Sequence, residues 1–314
     1  MKKKLLKTLV VACMTSIMLI GCGTKEKETT EQVETITITD VRGDVDIPKD
    51  PKRIVDISGS SDILSILGYK VIGTANSDAY DYTKFPSYLE DTLKGAEILG
   101  YSYQDEMDVE AIMNLKPDLI IMSTRQEKMY DQLSDIAPTV MVELAALNWK
   151  DDIKVLADVL NKQDVANTWL AEYEAKSKAA GEKIKKEFGE DTSYLSFLVS
   201  GDQLLVFDGA GFGSVLYDDM LLAKPIGMPA QSDVTLPSIN YEGLASIKAD
   251  YIFVLSTDED LQKLNANSIW NSLPAVQAGH VVKLNASPYF NQGYSPIGRE
   301  LLVDEIGGML NETK

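Results

Sequence analysis

The chain has 314 residues, 45% hydrophobic and 25% charged, with a formal net charge of −18. Nucleic-acid binding demands a basic face, so this acidic balance argues against it, and it gives no attraction to anionic lipid. Two cysteines (Cys13 and Cys22) and one histidine (His280) leave no thiolate metal site, disulfide or three-histidine zinc site in the folded part.

The first element is a targeting segment. Lys2, Lys3, Lys4 and Lys7 give a positive start, and Leu9 to Ile20 is apolar apart from Thr15 and Ser16. The run is too short for a stable membrane span and has the form of a secretory signal. It ends in Leu19-Ile20-Gly21-Cys22, which resembles the bacterial lipoprotein cleavage site. That resemblance implies removal of residues 1–21 and acylation of Cys22. Residues 22–34 are charged and poor in apolar side chains, and read as a flexible tether. Without the four signal lysines, 26 basic residues stand against 48 acidic ones, a net charge of −22. The remainder, about 280 residues, is long enough for two lobes at roughly 100–200 residues per domain.

Thr35 to Thr39 alternates with period two and Val41 to Val45 turns it back, which predicts a β-hairpin. Ile54 to Ile57 reads as a buried strand, followed by Ser58-Gly59-Ser60-Ser61 and a helix over Asp62 to Leu67. Strands are expected at Val71 to Gly73, Leu119 to Met122 and Val140 to Val142, with helices at Val109 to Asn114, Gln126 to Ile136 and Asp151 to Leu160. Gln163 to Phe188 is helical in pattern and free of proline. Its 26 residues would span about 39 Å at 1.5 Å per residue, a strut between lobes. The second half repeats the alternation. Strands are expected at Tyr194 to Val199, Leu204 to Phe207, Tyr251 to Leu255 and Val281 to Leu284, and helices at Ser214 to Leu222, Tyr241 to Ile247 and Gly298 to Met309. Strands alternating with helices indicate an α/β fold of parallel units. The expected segments are an N-terminal lobe over 35–162, a connecting helix over 163–189 and a C-terminal lobe over 190–314.

Several motifs in this order resemble the class III substrate-binding proteins of ABC importers. They are Pro51-Lys52-Arg53-Ile54-Val55, Met107-Asp108-Val109-Glu110-Ala111-Ile112, Leu115-Lys116-Pro117-Asp118-Leu119, Ile136-Ala137-Pro138-Thr139 and Ala249-Asp250-Tyr251-Ile252-Phe253. The resemblance implies two Rossmann-like α/β lobes bridged by one long α-helix, a ligand cleft between them and delivery to a permease and its ATPase subunits. Ser123-Thr124-Arg125-Gln126 and Gly213-Ser214-Val215-Leu216-Tyr217-Asp218-Asp219 look most like the ferric siderophore binders of that family. Catecholate siderophore, haem and cobalamin binders are the sister branches. With His280 alone, in a turn, a haem site is disfavoured.

Arg125 falls just past a strand end, where open α/β sheets place their ligands. Its guanidinium fork suits the oxygens of a chelated ferric ion. The iron is held by the siderophore, so no protein metal site and no cofactor is expected, and aromatic and hydrogen-bonding walls suit such a ligand. The candidates are Tyr80, Tyr101, Tyr103, Trp149, Tyr217, Tyr289, Phe290, Tyr294 and, for a hydrogen bond, Gln231. Trp169 and Trp270 lie on helical stripes and are assigned to the core. The folded part has four arginines, Arg42, Arg53, Arg125 and Arg299, and Lys84 and Lys224 are the candidate supplementary cations. That supply favours a hydroxamate or mixed hydroxamate–citrate siderophore over a triply anionic catecholate. Glu110 and Glu242 fall where the family places acidic residues that dock onto the permease. Gly209-Ala210-Gly211-Phe212-Gly213 lacks the dinucleotide spacing and a following Gly-Lys-Ser/Thr, and reads as a flexible loop beside the cleft. No nucleophile elbow accompanies a usable histidine, so binding is expected rather than catalysis. The expected product is a monomeric lipoprotein, lipid-anchored on the outer face of the cytoplasmic membrane, most naturally at the surface of a Gram-positive cell.

Overall fold

The computed structural model describes residues 34–145, 148–233 and 235–313; the targeting segment and Cys22 lie outside them. From Glu34 onward the chain forms one compact unit. A hairpin opens it, β1 (Thr35–Asp40) against β2 (Gly43–Pro48), with side chains alternating between water and protein as the period-two pattern requires.

The first half then builds a five-stranded parallel sheet from β3 (Ile54–Asp56), β4 (Val71–Thr74), β5 (Glu97–Ile98), β6 (Leu119–Ser123) and β7 (Thr139–Val142), in the order β5-β4-β3-β6-β7. Strands β3, β6 and β7 are buried throughout, as a sheet covered on both faces by helices demands. The second half builds another five-stranded sheet from β8 (Tyr194–Ser200), β9 (Gln203–Val206), β10 (Ser238–Ile239), β11 (Tyr251–Ser256) and β12 (Val281–Asn285), in the order β10-β9-β8-β11-β12. Here β8, β11 and β12 run parallel, while the hairpin partner β9 and then β10 run antiparallel.

Between the sheets runs the helix Gln163–Phe188, with the bounds that the sequence pattern predicts. Its apolar stripe of Ala166, Leu170, Tyr173 and Ile184 is buried. Gly181 lets the helix approach the turn at Met220, because a Cβ there would stand 1.8 Å from the Met220 carbonyl oxygen. The closing helix Pro296–Asn311 packs along it, tied by Lys176 to Glu300 (3.2 Å) and Asp304 (2.7 Å). Trp270 is fully buried beside Phe197, and Trp169 is partly buried against both lobes' cores. His280 sits in the turn before β12, stacked on Tyr251 at 4.3 Å.

Three local expectations are corrected. The single helix expected over Gln126 to Ile136 is a 3₁₀ turn, Thr124–Met129, followed by the helix Tyr130–Ser134. Gln126 causes the break. Its side-chain oxygen accepts from the Ser123 amide and hydroxyl, while its amide nitrogen donates to the carbonyls of Ser102 and Gln104. Trp149, two residues before the helix expected from Asp151, opens the helix Trp149–Val159. The glycine-rich segment is not a loose loop: Gly211–Ser214 is a short buried helix, continued by a π turn over Val215–Asp219. Gly213 packs so closely that a Cβ would lie 2.3 Å from the Phe207 carbonyl oxygen.

Candidate functional site

In the first sheet, the chain leaves β3 in both directions: β4 lies on one side and β6 on the other. Ligands of open α/β sheets sit outside the carboxyl ends of the strands at such a switch point. A cleft of about 320 Å³ opens there, at the lower end of the size range of small-molecule sites. Its N-terminal wall comes from the segments after β3 (Ser58, Gly59, Ser60, Asp62) and after β6 (Thr124, Arg125). Its opposite wall comes from the second half, Phe290, Asn291, Tyr294 and Ser295.

The loop after β3 is held from below by Asp56. This buried carboxylate accepts from the Ser58 amide (3.0 Å) and hydroxyl (2.6 Å), the Ser60 amide (2.9 Å) and the Ser61 hydroxyl (2.6 Å). Burial still pushes its pKa above the ordinary carboxyl range. Asp62, in the first turn of the helix Ser61–Ile66, is 2% exposed. Burial pushes its pKa up to about 6, against hydrogen bonds from the Ser295 hydroxyl (2.5 Å) and the Ile63 amide (2.8 Å).

The Ser295 bond joins the two halves across the cleft floor, and three others accompany it. Ser287 donates to Asp78 (2.6 Å), Asn291 accepts from the Ala79 amide (3.3 Å), and the Asn291 amide donates to the Ser77 carbonyl (3.4 Å). Each such bond has a net worth of only about 1 kcal/mol.

At the mouth, the rings of Tyr82, Tyr101 and Tyr103 form a ladder, with successive centroids 4.9 and 5.5 Å apart. The Arg125 guanidinium caps it, 4.8 Å from the Tyr103 ring centre, and also meets Asp105 at 3.8 Å. On the far side Trp149 stands edge-on to Tyr173 at 5.0 Å. The Arg299 guanidinium lies 4.8 Å from the Trp149 ring centre. Arg299 is 2% exposed and fully engaged: it donates to Asp219 (2.7 Å), the Ser214 hydroxyl (2.9 Å) and the Gly293 carbonyl (2.6 Å). Tyr173 also donates to Asp219 (2.7 Å), so one carboxylate ties the closing helix to the long helix behind the tryptophan.

Six of the sequence candidates therefore meet in one cleft: Arg125, Tyr101, Tyr103, Trp149, Phe290 and Tyr294. Tyr80 stands on the rim, 44% exposed and edge-on to Phe290 at 6.2 Å. Three candidates lie elsewhere. Tyr217 is in the core, its hydroxyl donating to the Tyr194 carbonyl at 2.7 Å. Gln231 braces the segment after β9, accepting from the Gly209 amide at 3.1 Å. Tyr289 faces a shallow depression with Asp304 and Glu305, because helical neighbours point about 100° apart and Phe290 takes the cleft side. Lys84 pairs with Asp81 and Lys224 with Asp208, neither on the cleft wall. Glu110 and Glu242 are exposed in the first turns of the helices Val109–Asn114 and Tyr241–Ser246, one in each half.

Sequence reasoning missed Asp62, Tyr88, Asp152, Ser295 and the placement of Arg299 on the lining. Burial pushes the Tyr88 hydroxyl well above its ordinary pKa. The Ser295-Pro296 pair is a readable helix start, a capping serine before proline at the first helical position.

Comparison with known proteins places this geometry in a lineage. The protein named "Probable siderophore-binding lipoprotein YfiY" of Bacillus subtilis is 30% identical over 331 residues, covering 99% of this chain and all of that one. The iron(3+)-hydroxamate-binding protein FhuD of the same organism is 32% identical over 287 residues, 87% of each chain. Among solved structures, a periplasmic binding protein component of a Fep/Fec-like ferrichrome ABC transporter from Bacillus subtilis superposes with a TM-score of 0.70. It is 30% identical and covers 88% of this chain and 100% of that one. Unliganded FhuD2 of Staphylococcus aureus superposes with a TM-score of 0.74 at 25% identity, over 89% and 99% of the two chains. The periplasmic binding protein family model matches residues 58–288, and the chain belongs to that family.

Proposed function

We propose that the protein captures a ferric siderophore in the cleft between its lobes and delivers it to the permease of an ABC importer for iron uptake. The observation that carries this reading is the cleft at the switch point. It is walled by Tyr101, Tyr103, Trp149, Phe290 and Tyr294, topped by Arg125 and closed across the floor by Ser295 and Asp62. Apolar and aromatic walls with a few fixed polar groups suit a chelate whose iron is already wrapped. Relatives named for siderophore and iron-hydroxamate binding support the same class, as does the family's role in binding.

Within that class a hydroxamate or mixed hydroxamate–citrate complex is favoured, because among the described residues the cleft wall carries two cations, Arg125 and Arg299, and Arg299 is already paired with Asp219. Glu110 and Glu242, one exposed glutamate on each half, are assigned to docking on the permease, where rim charges set encounter and register. Acylated Cys22 is the membrane anchor. Among the described residues no helix is long and apolar enough to cross a membrane.

Tryptophan fluorescence during titration with a ferric trihydroxamate tests the reading. Saturable quenching is expected in the parent and a greatly reduced response in Trp149→Phe. Quenching that is unchanged in Trp149→Phe would place the ligand elsewhere, and a flat titration would remove siderophore capture of this type.

A further inference from the structure

The segment that joins β4 to β5, residues 75–96, has one 3₁₀ turn at Ser87–Leu89 and otherwise no regular structure. A connection of that length without elements of its own is uncommon in a packed fold and usually serves a function. Its tip is shaped by its own bonds. The Asp78 amide donates to the Lys84 carbonyl (2.8 Å), the Lys84 amide to the Asp81 carbonyl (3.0 Å) and the Tyr80 amide to Asp78 Oδ1 (2.7 Å). The same tip reaches across to the other half of the chain. Asp78 Oδ2 accepts from the Ser287 hydroxyl at 2.6 Å, and Asn291 bonds to both the Ala79 amide and the Ser77 carbonyl. Tyr80 meets Phe290 edge-on. These partners all lie on the helix Ala286–Gln292, whose Phe290 and Asn291 line the cleft. Asp78 is 4% exposed, so water does not compete for the Ser287 bond, and a bond to a carboxylate is about twice as strong as a neutral one. On the other flank of the tip, Tyr82 stacks on Tyr101 with the rings 9° from parallel, the first rung of the ladder that ends at Arg125. One short turn therefore touches both walls of the cleft, although Asp78 is not part of the lining.

Resting on the siderophore reading above, we infer that Asp78 is a positioning residue for ligand retention. Through Ser287 it clasps the helix Ala286–Gln292 against the turn that carries Tyr80 and Tyr82, and the clasp sets how long a bound chelate stays between the lobes. Asp78 does this without touching the chelate. Its two oxygens divide the work: Oδ1 shapes the turn through the Tyr80 amide, and Oδ2 holds the other lobe through the Ser287 hydroxyl. With the clasp gone, Phe290 and Asn291 are freer to move away from the tyrosine ladder, which lowers the barrier to release. Ser287→Ala removes the clasp bond and leaves the bonds within the turn in place. Asp78→Ala removes the clasp bond and the Tyr80 bond together.

The test measures release. Protein loaded with a radioiron-labelled ferric trihydroxamate is mixed with excess unlabelled complex, and the loss of bound label gives the dissociation rate. Ser287→Ala and Asp78→Ala should each release about five- to tenfold faster than the parent, the scale of one hydrogen bond. The double variant should release no faster than Asp78→Ala, because both changes break the same bond. Asn240→Ala is the control for general loosening. It loses the cap on the helix Tyr241–Ser246, a bond to the Gly243 amide at 2.8 Å, at a comparable cost in thermal melts, and should release at the parent rate. Parent-like release in Ser287→Ala, rates that multiply in the double variant, or equal acceleration in Asn240→Ala would overturn the clasp while leaving siderophore capture in place. Failure of the parent to retain the labelled chelate at all would overturn the siderophore reading and the clasp with it.

Discussion

Removing the Asp219 carboxylate is the sharpest perturbation of the scaffold behind the cleft. Asp219 is 3% exposed and receives hydrogen bonds from Arg299 and Tyr173, with Lys150 at 3.4 Å. In Asp219→Ala the Arg299 guanidinium stays buried with its charge uncompensated and the Tyr173 hydroxyl loses its acceptor. Breaking one side of a buried pair costs about 3–5 kcal/mol. At about 2 °C per kcal/mol for a chain of this size, thermal unfolding should drop by roughly 6–10 °C. The triple change Asp219→Leu, Arg299→Met, Tyr173→Phe removes the charges and the orphaned hydroxyl together, and should recover most of that loss. Thermal melts followed by circular dichroism on parent, single and triple variants decide it. A loss below about 1 kcal/mol in Asp219→Ala would mean that water reaches the pair. A triple variant no better than the single would refute the desolvation argument.

Other outcomes follow from the same geometry. The folded pKa of Asp62, about 6 against an ordinary value of 3.8, means that the native state binds the extra proton between those values. Its cost is therefore absent below pH 4 and complete above pH 6. The stability difference between the parent and Asp62→Asn should shift against the parent by about 3 kcal/mol over that window, at 1.36 kcal/mol per pKa unit. Denaturant melts at pH 4 and 7 measure it, and a pH-independent difference would contradict it. Gly181→Val should destabilise by about 1–3 kcal/mol, read in the same melts, because the added Cβ meets the Met220 carbonyl. Reversing Glu110 and Glu242 to lysine should leave chelate affinity intact and abolish uptake of radioactive iron by cells; undiminished uptake would remove their docking role.

The sequence is legible where local chemistry decides structure. The Gln163–Phe188 helix and the buried strands follow from periodicity alone, and the turn after β3 follows from Ser58-Gly59-Ser60-Ser61. It is less legible where tertiary bonds override propensity. Gln126 interrupts a helical pattern by bonding to Ser102 and Gln104, more than 20 residues earlier. The cleft aromatics show the same division. Phe290 and Tyr289 are equivalent by composition, and only the orientation of the helix Ala286–Gln292 separates the cleft side from the far side. Acidic lining was overlooked because Asp62 and Asp152 resemble ordinary first-turn carboxylates, favourable near any helix N-terminus; their lack of cations becomes visible only in three dimensions.

The most direct measurement is anomalous scattering at the iron absorption edge from crystals grown with a ferric trihydroxamate. One strong peak is expected in the cleft, between the Ser58–Ser60 segment and Tyr294, with Arg125 and Trp149 beside the chelate. An iron peak outside the cleft, or no peak at saturating chelate, would contradict siderophore capture between the lobes.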